Sequence, residues 1–554
     1  MSVFLAWCVL PAVAQVAPPP VADAGGGTLV DGPLLPDWRV VDDEWAETVR
    51  HREPFHTAPD VVADERVWGA PMMVLVLLAA CGGEAPPGDS GRPVVVTTND
   101  SGPPVACDLA DYPGVAVALD HRVYATFVGE EEEAWAGYSV ACMSRDQVGP
   151  GAAAGLWAVG APEHHDYSKE AGTVYVFQGG GEPARDDAVH IIEGSYLESD
   201  SLGLSVGLVE RQGGPSILGA SWKPSRNNTH NRGVAFVHGV DVGRPGVTPI
   251  DEADLLISGV DEVVNGAGGN LVQLLPVPDV DGGGEPEFVA VWEGMKVELY
   301  RGETATRSMA RRRPDHVYHR PRPGRAHVGD LDGDGNLDMA LFEDYTGFDR
   351  AIAIRFGPLL GGPREQDFGE EVLIQLPDHR FESNGPGHIG WVADVNADGV
   401  DDVIVNSQLF RDSYDRESFT HVFFGPFVRG TTLTEADADA TFHEVGERSY
   451  LWARDVADHD GDGFPDLVFI KYRWLPYEGC ASVLVVPGPL APGAYTAEDA
   501  RFAYVAERGS LVGGSDVASC DLDGDGDDEL VLGEFGYLGG TGRAIVVEGG
   551  PFEE

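Results

Sequence analysis

The chain has 554 residues, more than one ordinary core holds, and its 91 acids against 37 Lys and Arg give a formal net charge of −54. That balance argues against a nucleic-acid partner, which needs a basic face. No apolar run reaches the roughly 18–20 residues of a spanning helix, and 73 Gly with 39 Pro suit a turn-rich all-β chain.

Two apolar stretches open the chain. MSVFLAWCVLPAVAQVA (1–17) has the character of a secretory signal without a basic n-region. MMVLVLLAACGG (72–83) contains LAAC (78–81), which matches the bacterial lipobox, a Cys lipidated after cleavage just before it. The natural start is expected near Met72 or somewhat upstream. Residues 1–80 are then a leader, 1–71 of it mis-assigned, and Cys81 is the lipidation site. Residues 81–120, beginning GGEAPPGDSGRP after the Cys, read as a polar tether, and Gly82 favours outer-membrane sorting. Beyond Cys8 and Cys81 there remain Cys107, Cys142, Cys480 and Cys520, an even set that can pair in an exported protein. Cys107–Cys142 and Cys480–Cys520 are the pairings local in sequence or between neighbouring repeats; the sequence leaves connectivity open.

From residue 121 onward the chain repeats itself. Short apolar strands open units at ATFVGE (125), HIIEGS (190), LLISGV (255), VYHRPR (317), LIQLPD (373), TFHEVG (441) and FAYVAE (502), spaced by 65, 65, 62, 56, 68 and 61 residues. Each unit's third strand ends directly in Gly, as in VYVFQG (174–179), VELYRG (297–302) and AIVVEG (544–549), except HVFFGP (421–426), which carries Gly425 one place earlier. Seven units of about four strands predict a β-propeller, whose blades bury their faces on their neighbours around an axis. The strand at 125 has no blade before it. It is expected to fill the empty fourth place of the last blade and close the ring.

Units four to seven carry an acidic turn between their first two strands: DLDGDGNLD (330–338), DVNADGVDD (394–402), DHDGDGFPD (458–466) and DLDGDGDDE (521–529). Oxygen ligands at alternate positions around a Gly suit Ca²⁺. An EF-hand also needs a bidentate Glu at the twelfth position, where these loops have Leu341, Val405, Phe469 and Leu532. Apolar runs such as MALF and LVFI follow, so the acids feed a buried strand and not a helix. Mg²⁺ is a poorer fit because it dehydrates reluctantly and demands a tighter octahedron.

AGYSVA (136–141) followed by LWAVGAPEHHDYSKEAGTVYVF (156–177) resembles the FG-GAP repeat of integrin α-subunit propellers and of many bacterial exported proteins. The resemblance covers roughly residues 121–552. It implies side-chain ligands at positions one, three, five and nine of each loop and a backbone carbonyl at seven. On this chain those are Asp330, Asp332, Asp334, Asn336 and Asp338; Asp394, Asn396, Asp398, Val400 and Asp402; Asp458, Asp460, Asp462, Phe464 and Asp466; and Asp521, Asp523, Asp525, Asp527 and Glu529. About four Ca²⁺ ions are therefore expected. DVDGGGEPE (279–287) is a weak fifth loop, with Gly283 in place of a ligand.

Two motifs tempt toward catalysis. GLSVG (203–207) fits a nucleophile elbow around Ser205, but it lies in a predicted strand with no helix after it. GDSGRP (88–93) lies in the tether. The one basic segment, 307–325, offers Arg311, Arg312, Arg313, Arg320 and Arg322 as an anion-binding edge or as a solvated loop. The expectation is a non-catalytic, calcium-stabilised propeller that binds or scaffolds a protein or glycan at a bacterial cell surface. The alternatives are a hydrolase- or lyase-associated propeller and a subunit of an outer-membrane assembly.

Overall fold

The computed structural model describes Leu109 and residues 115–550, except for short connecting segments, of which 195–200, 222–233, 259–270, 303–313, 344–350, 377–389 and 474–479 are the longest. Within it the chain is a seven-bladed β-propeller of mostly four-stranded antiparallel sheets. Blade 6 shows the plan. Its innermost strand, Ser449–Ala457, pairs with Asp466–Arg473, which pairs with Cys480–Val486, which pairs with Phe502–Arg508. The outer strand of each blade is the opening strand of the next sequence repeat.

Period-two alternation explains why the second strands read as unbroken apolar runs. In Asp466–Arg473, Leu467 and Phe469 face the cluster shared with blade 5, while Val468 and Ile470 face the one shared with blade 7. In Asp338–Glu343, Met339 and Leu341 face blade 3, and Ala340 and Phe342 face blade 5. A strand buried on both faces needs apolar side chains at every position. Seven such clusters lie among the described residues, one at each blade boundary.

The ring closes as the repeat pattern requires. Val123–Val128 pairs antiparallel with Arg543–Val547 and becomes the outer strand of blade 7. A second closure was not foreseen. Cys142, on the innermost strand of blade 1, is disulfide-bonded to Cys520, on the innermost strand of blade 7. This replaces both local pairings considered from the sequence, because the circular fold makes the first and last repeats neighbours. Cys107 and the side chain of Cys480 lie outside the described residues.

A fifth, parallel strand is the other addition. Gly246–Pro249 lies along blade 1, Glu365–Asp367 along blade 3, Thr431–Thr434 along blade 4, Gly493–Tyr495 along blade 5 and Val115–Ala118 along blade 6. Blade 7 has the same contact in miniature, where Gly181 bonds to Tyr124 and Thr126. In each case the chain runs along the edge of one blade and then enters the outer place of the next. These strands clasp adjacent blades and cover edges that would otherwise be open. Val115–Ala118 falls within the segment read as tether, so the ring takes in residues ahead of 121. Apart from Leu109, residues 81–114, the leader and Cys81 lie outside the described residues.

The disulfide joins residues 378 apart. A cross-link over so long a loop is worth about 2–5 kcal/mol, mainly through the unfolded chain. Reductant is therefore expected to lower the denaturant midpoint of the full chain, and Cys142→Ala to lower it equally in the absence of reductant. The check is equilibrium unfolding of both proteins with and without reductant, where the variant should no longer respond.

Candidate metal centres

The five first-to-second connections of blades 3–7 share one internal scheme. The first acid caps the turn: Asp330 accepts from the backbone N–H groups of Asp334 and Gly335, Asp394 from Asp398 and Gly399, and Asp279 from Gly283 and Gly284. The second residue is a buried plug, Leu331, Val395, His459 or Leu522. His459 can replace an aliphatic residue because both ring nitrogens are engaged, Nδ1 with the Asp528 carbonyl and Nε2 with the Tyr504 hydroxyl. Burial pushes its pKa down to about 4, so it sits neutral. Glycines at positions four and six adopt positive φ, for example Gly333 at 74° and Gly335 at 82°, which lets the chain reverse around the acids.

The ninth acid opens the second strand and is fully buried at Asp338, Asp402 and Asp466 and nearly so at Glu529. It fastens two turns at once. Asp338 accepts from Leu331 N–H at 2.8 Å and from Gly357 N–H at 2.6 Å. Asp402 does the same with Val395 and Gly425, and Asp466 with His459 and Gly488. Glu529 accepts from Leu522 N–H at 2.6 Å.

Not every expected ligand converges. Carboxylate oxygens of Asp330, Asp332 and Asp338 lie within 4.8 Å of one another, as do those of Asp458, Asp460 and Asp462. Asp521, Asp523 and Glu529 form a third group, and Asp525, Asp527 and Glu529 a fourth. Asp334 turns outward, its Oδ1 accepting from the backbone and side chain of Asn336. In blade 5, Asp394 and Asn396 both accept from Asp398 N–H, and the Asn396 amide bonds Asp398 Oδ2 at 3.1 Å. Asp527, expected to offer only its carbonyl, is buried with its carboxylate beside the Gly549–Gly550 turn. Val400 and Phe464 hold the seventh place, each donating its backbone N–H to the fifth acid.

The acids of this face are costly without a counter-charge. Burial raises Asp338 to about 6 and Asp402 and Asp466 to about 7; burial and then the neighbouring carboxylates raise Asp527 to about 7. Glu529 is raised to about 8, again chiefly by burial. Asp458 Oδ1, Asp460 Oδ1 and Glu287 Oε1 are buried with no hydrogen-bond partner. Orphaned carboxylate oxygens in an all-oxygen donor set fit a hard cation. Some loops also carry a protein cation. Arg301 Nη1 lies 3.3 Å from Asp281 Oδ2 in blade 3, where Asp279, Asp281 and Glu287 converge, and Arg501 Nη1 lies 2.8 Å from Asp460 Oδ2 in blade 6.

Sequence reading overlooked the eighth position. Asp401 Oδ2 accepts from Asp330 N–H at 2.7 Å, and Asp401 N–H donates to the Asp330 carbonyl at 2.9 Å. Asp528 makes the same pair with Asp458, both at 2.9 Å. Loops 4 and 5 are thus locked together, as are loops 6 and 7. Blade 2 reaches blade 3 through a buried Arg211–Glu285 pair at 3.1 Å. The available signal was an acid at position eight in alternate loops, VDD and DDE against NLD and FPD. Ser205 stands opposite Ala220 within the ten-residue strand Leu202–Arg211, which is not a nucleophile elbow. Arg311, Arg312, Arg313, Arg320 and Arg322 lie outside the described residues.

No protein-family model matches the chain, and no curated protein matches it. Among solved structures it is similar to Saccharomyces cerevisiae Sqt1, with 9% identity over 78% of this chain and 100% of that one and a TM-score of 0.35. It is also similar to the Dos1 propeller, with 8% identity over 78% and 97% and a TM-score of 0.37. BBS1N, solved in complex with ARL6DN, shows 10% identity over 77% and 98% with a TM-score of 0.37.

The raised carboxyl values give a sign to the pH dependence. Groups whose folded pKa exceeds the unfolded value of about 4 contribute stability below about pH 4 that is lost as pH rises through 6–8. Chelated protein is therefore expected to lose thermal stability between about pH 5 and 8. Added Ca²⁺ should remove that slope, since the cation favours the ionised form. Melting curves across that range, with chelator and with calcium, check both.

Proposed function

We propose that the chain is a calcium-stabilised, non-catalytic binding or scaffolding propeller of the FG-GAP type, exported to a bacterial cell surface and anchored there through Cys81. The observation that carries the reading is the convergence of carboxylates, some with orphaned buried oxygens, in the loops of blades 4, 6 and 7. Blade 5 repeats the same turn with Asn396 at its third place. Ca²⁺ would be held by Asp330, Asp332 and Asp338 in blade 4, by Asp394, Asn396 and Asp398 in blade 5, by Asp458, Asp460 and Asp462 in blade 6, and by the Asp521–Glu529 set in blade 7. Its contribution there is charge neutralisation. The chain's own residues do the rest: the first acid shapes the turn, the ninth fastens it to the third strand, and Asp401 and Asp528 carry the constraint to the neighbouring loop. A rigid ring of this kind leaves recognition to variable connections. The partner proposed is a protein or glycan, with the arginines of 311–322 as an edge for an anionic one.

The metal reading is checked by counting. Full chain dialysed against Ca²⁺ should hold about four ions, and Asp332→Ala with Asp398→Ala about two. Chelation should lower the melting temperature markedly, whereas an unchanged midpoint would end the structural-calcium reading. The anchor is checked by mass spectrometry of native protein, which should find a diacylglyceryl-modified Cys81 at the mature N-terminus.

A further inference from the structure

Blades 1 and 2 have no acidic loop, yet their boundary gathers a different donor set. His190 opens the outer strand of blade 1, His190–Glu193, and His238 stands near the end of the third strand of blade 2, Val234–Gly239. Thr248 lies on Gly246–Pro249, the clasp strand that runs along blade 1 before the chain enters the outer place of blade 2. The two imidazole centroids are 5.0 Å apart. Both Nε2 atoms converge on one oxygen: Thr248 Oγ1 is 3.1 Å from His190 and 3.4 Å from His238. Behind His238, Nδ1 lies 3.3 Å from Asp254 Oδ2, and that carboxylate is itself fixed by the Gly239 N–H at 2.9 Å. His190 is 6% exposed, and its Nδ1 is buried with no partner.

Counting protons shows what this arrangement can hold. The Asp254 carboxylate, 3.3 Å from Nδ1, favours the tautomer that keeps the proton on Nδ1, so that a neutral His238 presents a lone pair at Nε2 to the Thr248 hydroxyl. The hydroxyl has a single hydrogen, so His190 Nε2 must donate to it, which leaves a bare acceptor at Nδ1. The neutral imidazole is the form that ligates a metal.

We propose that His190 and His238 bind one borderline transition-metal dication of the Zn²⁺ class through their Nε2 atoms, with Thr248 or water completing the coordination. Two imidazoles aimed at one point supply the nitrogen set that such ions prefer over Ca²⁺ and Mg²⁺. Asp254 behind His238 is the carboxylate that orients a metal-bound histidine and raises its basicity. Only one proton moves on binding, from Nε2 to Nδ1 of His190. The ion would cross-link blade 1 to blade 2, in the part of the ring without acidic loops, and this proposal stands independently of calcium.

The test uses the full chain in saturating Ca²⁺, so that the acidic loops do not compete. Titration with Zn²⁺ should show one site per chain, and Co²⁺ in its place should develop the visible absorption of a nitrogen-ligated, low-coordinate ion. His190→Gln and His238→Gln should each weaken Zn²⁺ binding at least about tenfold, and Asp254→Asn about tenfold, with the calcium count unchanged. Equal Zn²⁺ binding by wild type and the doubly substituted protein would overturn the assignment. Should the variants fail to fold, the Co²⁺ spectrum of the unmodified protein decides alone: a spectrum identical to the aqueous ion overturns it.

Discussion

Each blade has two apolar faces, and this requirement for burial on both sides governs the rest of the molecule. A lone blade would leave Leu467 and Phe469 in water on one face and Val468 and Ile470 on the other. At about 25 cal/mol per Å² of apolar surface, no hydrogen bonding within the blade offsets that exposure. Every blade therefore depends on both neighbours, and the first must meet the last. The outer strand at Val123–Val128 and the Cys142–Cys520 bond serve that one boundary, from the outside and the inside of the ring. A chain that folds in sequence order makes this junction only when nearly all of it has been laid down. A covalent bond is most useful there, because the entropy of closing a loop grows with its length.

Electrostatics is subordinate to that packing but shaped by it. The ninth acids are buried because they start the second strand, which must be buried. Once there, they cannot be solvated, so the backbone supplies N–H donors from two turns. The same desolvation raises their pKa values and makes a cation valuable. The pairing of loops through Asp401 and Asp528 extends the coupling. A change at one loop's first residue is felt by the loop next door, because that residue's N–H and carbonyl are both held by its neighbour.

Much of this was legible in the sequence, for reasons that particular residues make plain. Repeats of about 60 residues with apolar runs such as LVFI could only be doubly buried strands, and the strand at 125 without a blade could only close the ring. Apolar twelfth positions excluded helices after the acidic turns. What escaped detection carries little side-chain signal. Gly246–Pro249 and Gly493–Tyr495 are held by backbone bonds along an edge, so neither has an apolar pattern. The Cys142–Cys520 pair links positions 378 apart, and only the circular arrangement brings them together. Asp527 was read as a carbonyl donor because family spacing assigns atoms by position, whereas its side chain is drawn inward by the packing of the last turn.

The ring is also asymmetric in how its blades are held together beyond the shared apolar clusters. From blade 4 to blade 7, acidic loops lie side by side, joined by backbone bonds such as Leu490 N–H to the Val395 carbonyl and Gly550 N–H to the His459 carbonyl. Toward blades 1 and 2 the acids give way to basic and neutral partners: Arg145 bonds the Asp523 carbonyl, and Arg211 pairs with Glu285. These arginines need no external ion, since a guanidinium brings its own charge and several donors. At the outer edge between blades 1 and 2, two histidines and a threonine meet. Neutral imidazoles, unlike clustered carboxylates, carry no like charge to repel one another. One architecture thus joins its blades by two electrostatic regimes. One gathers buried and half-buried carboxylates that repel one another when ionised; the other is neutral or internally balanced.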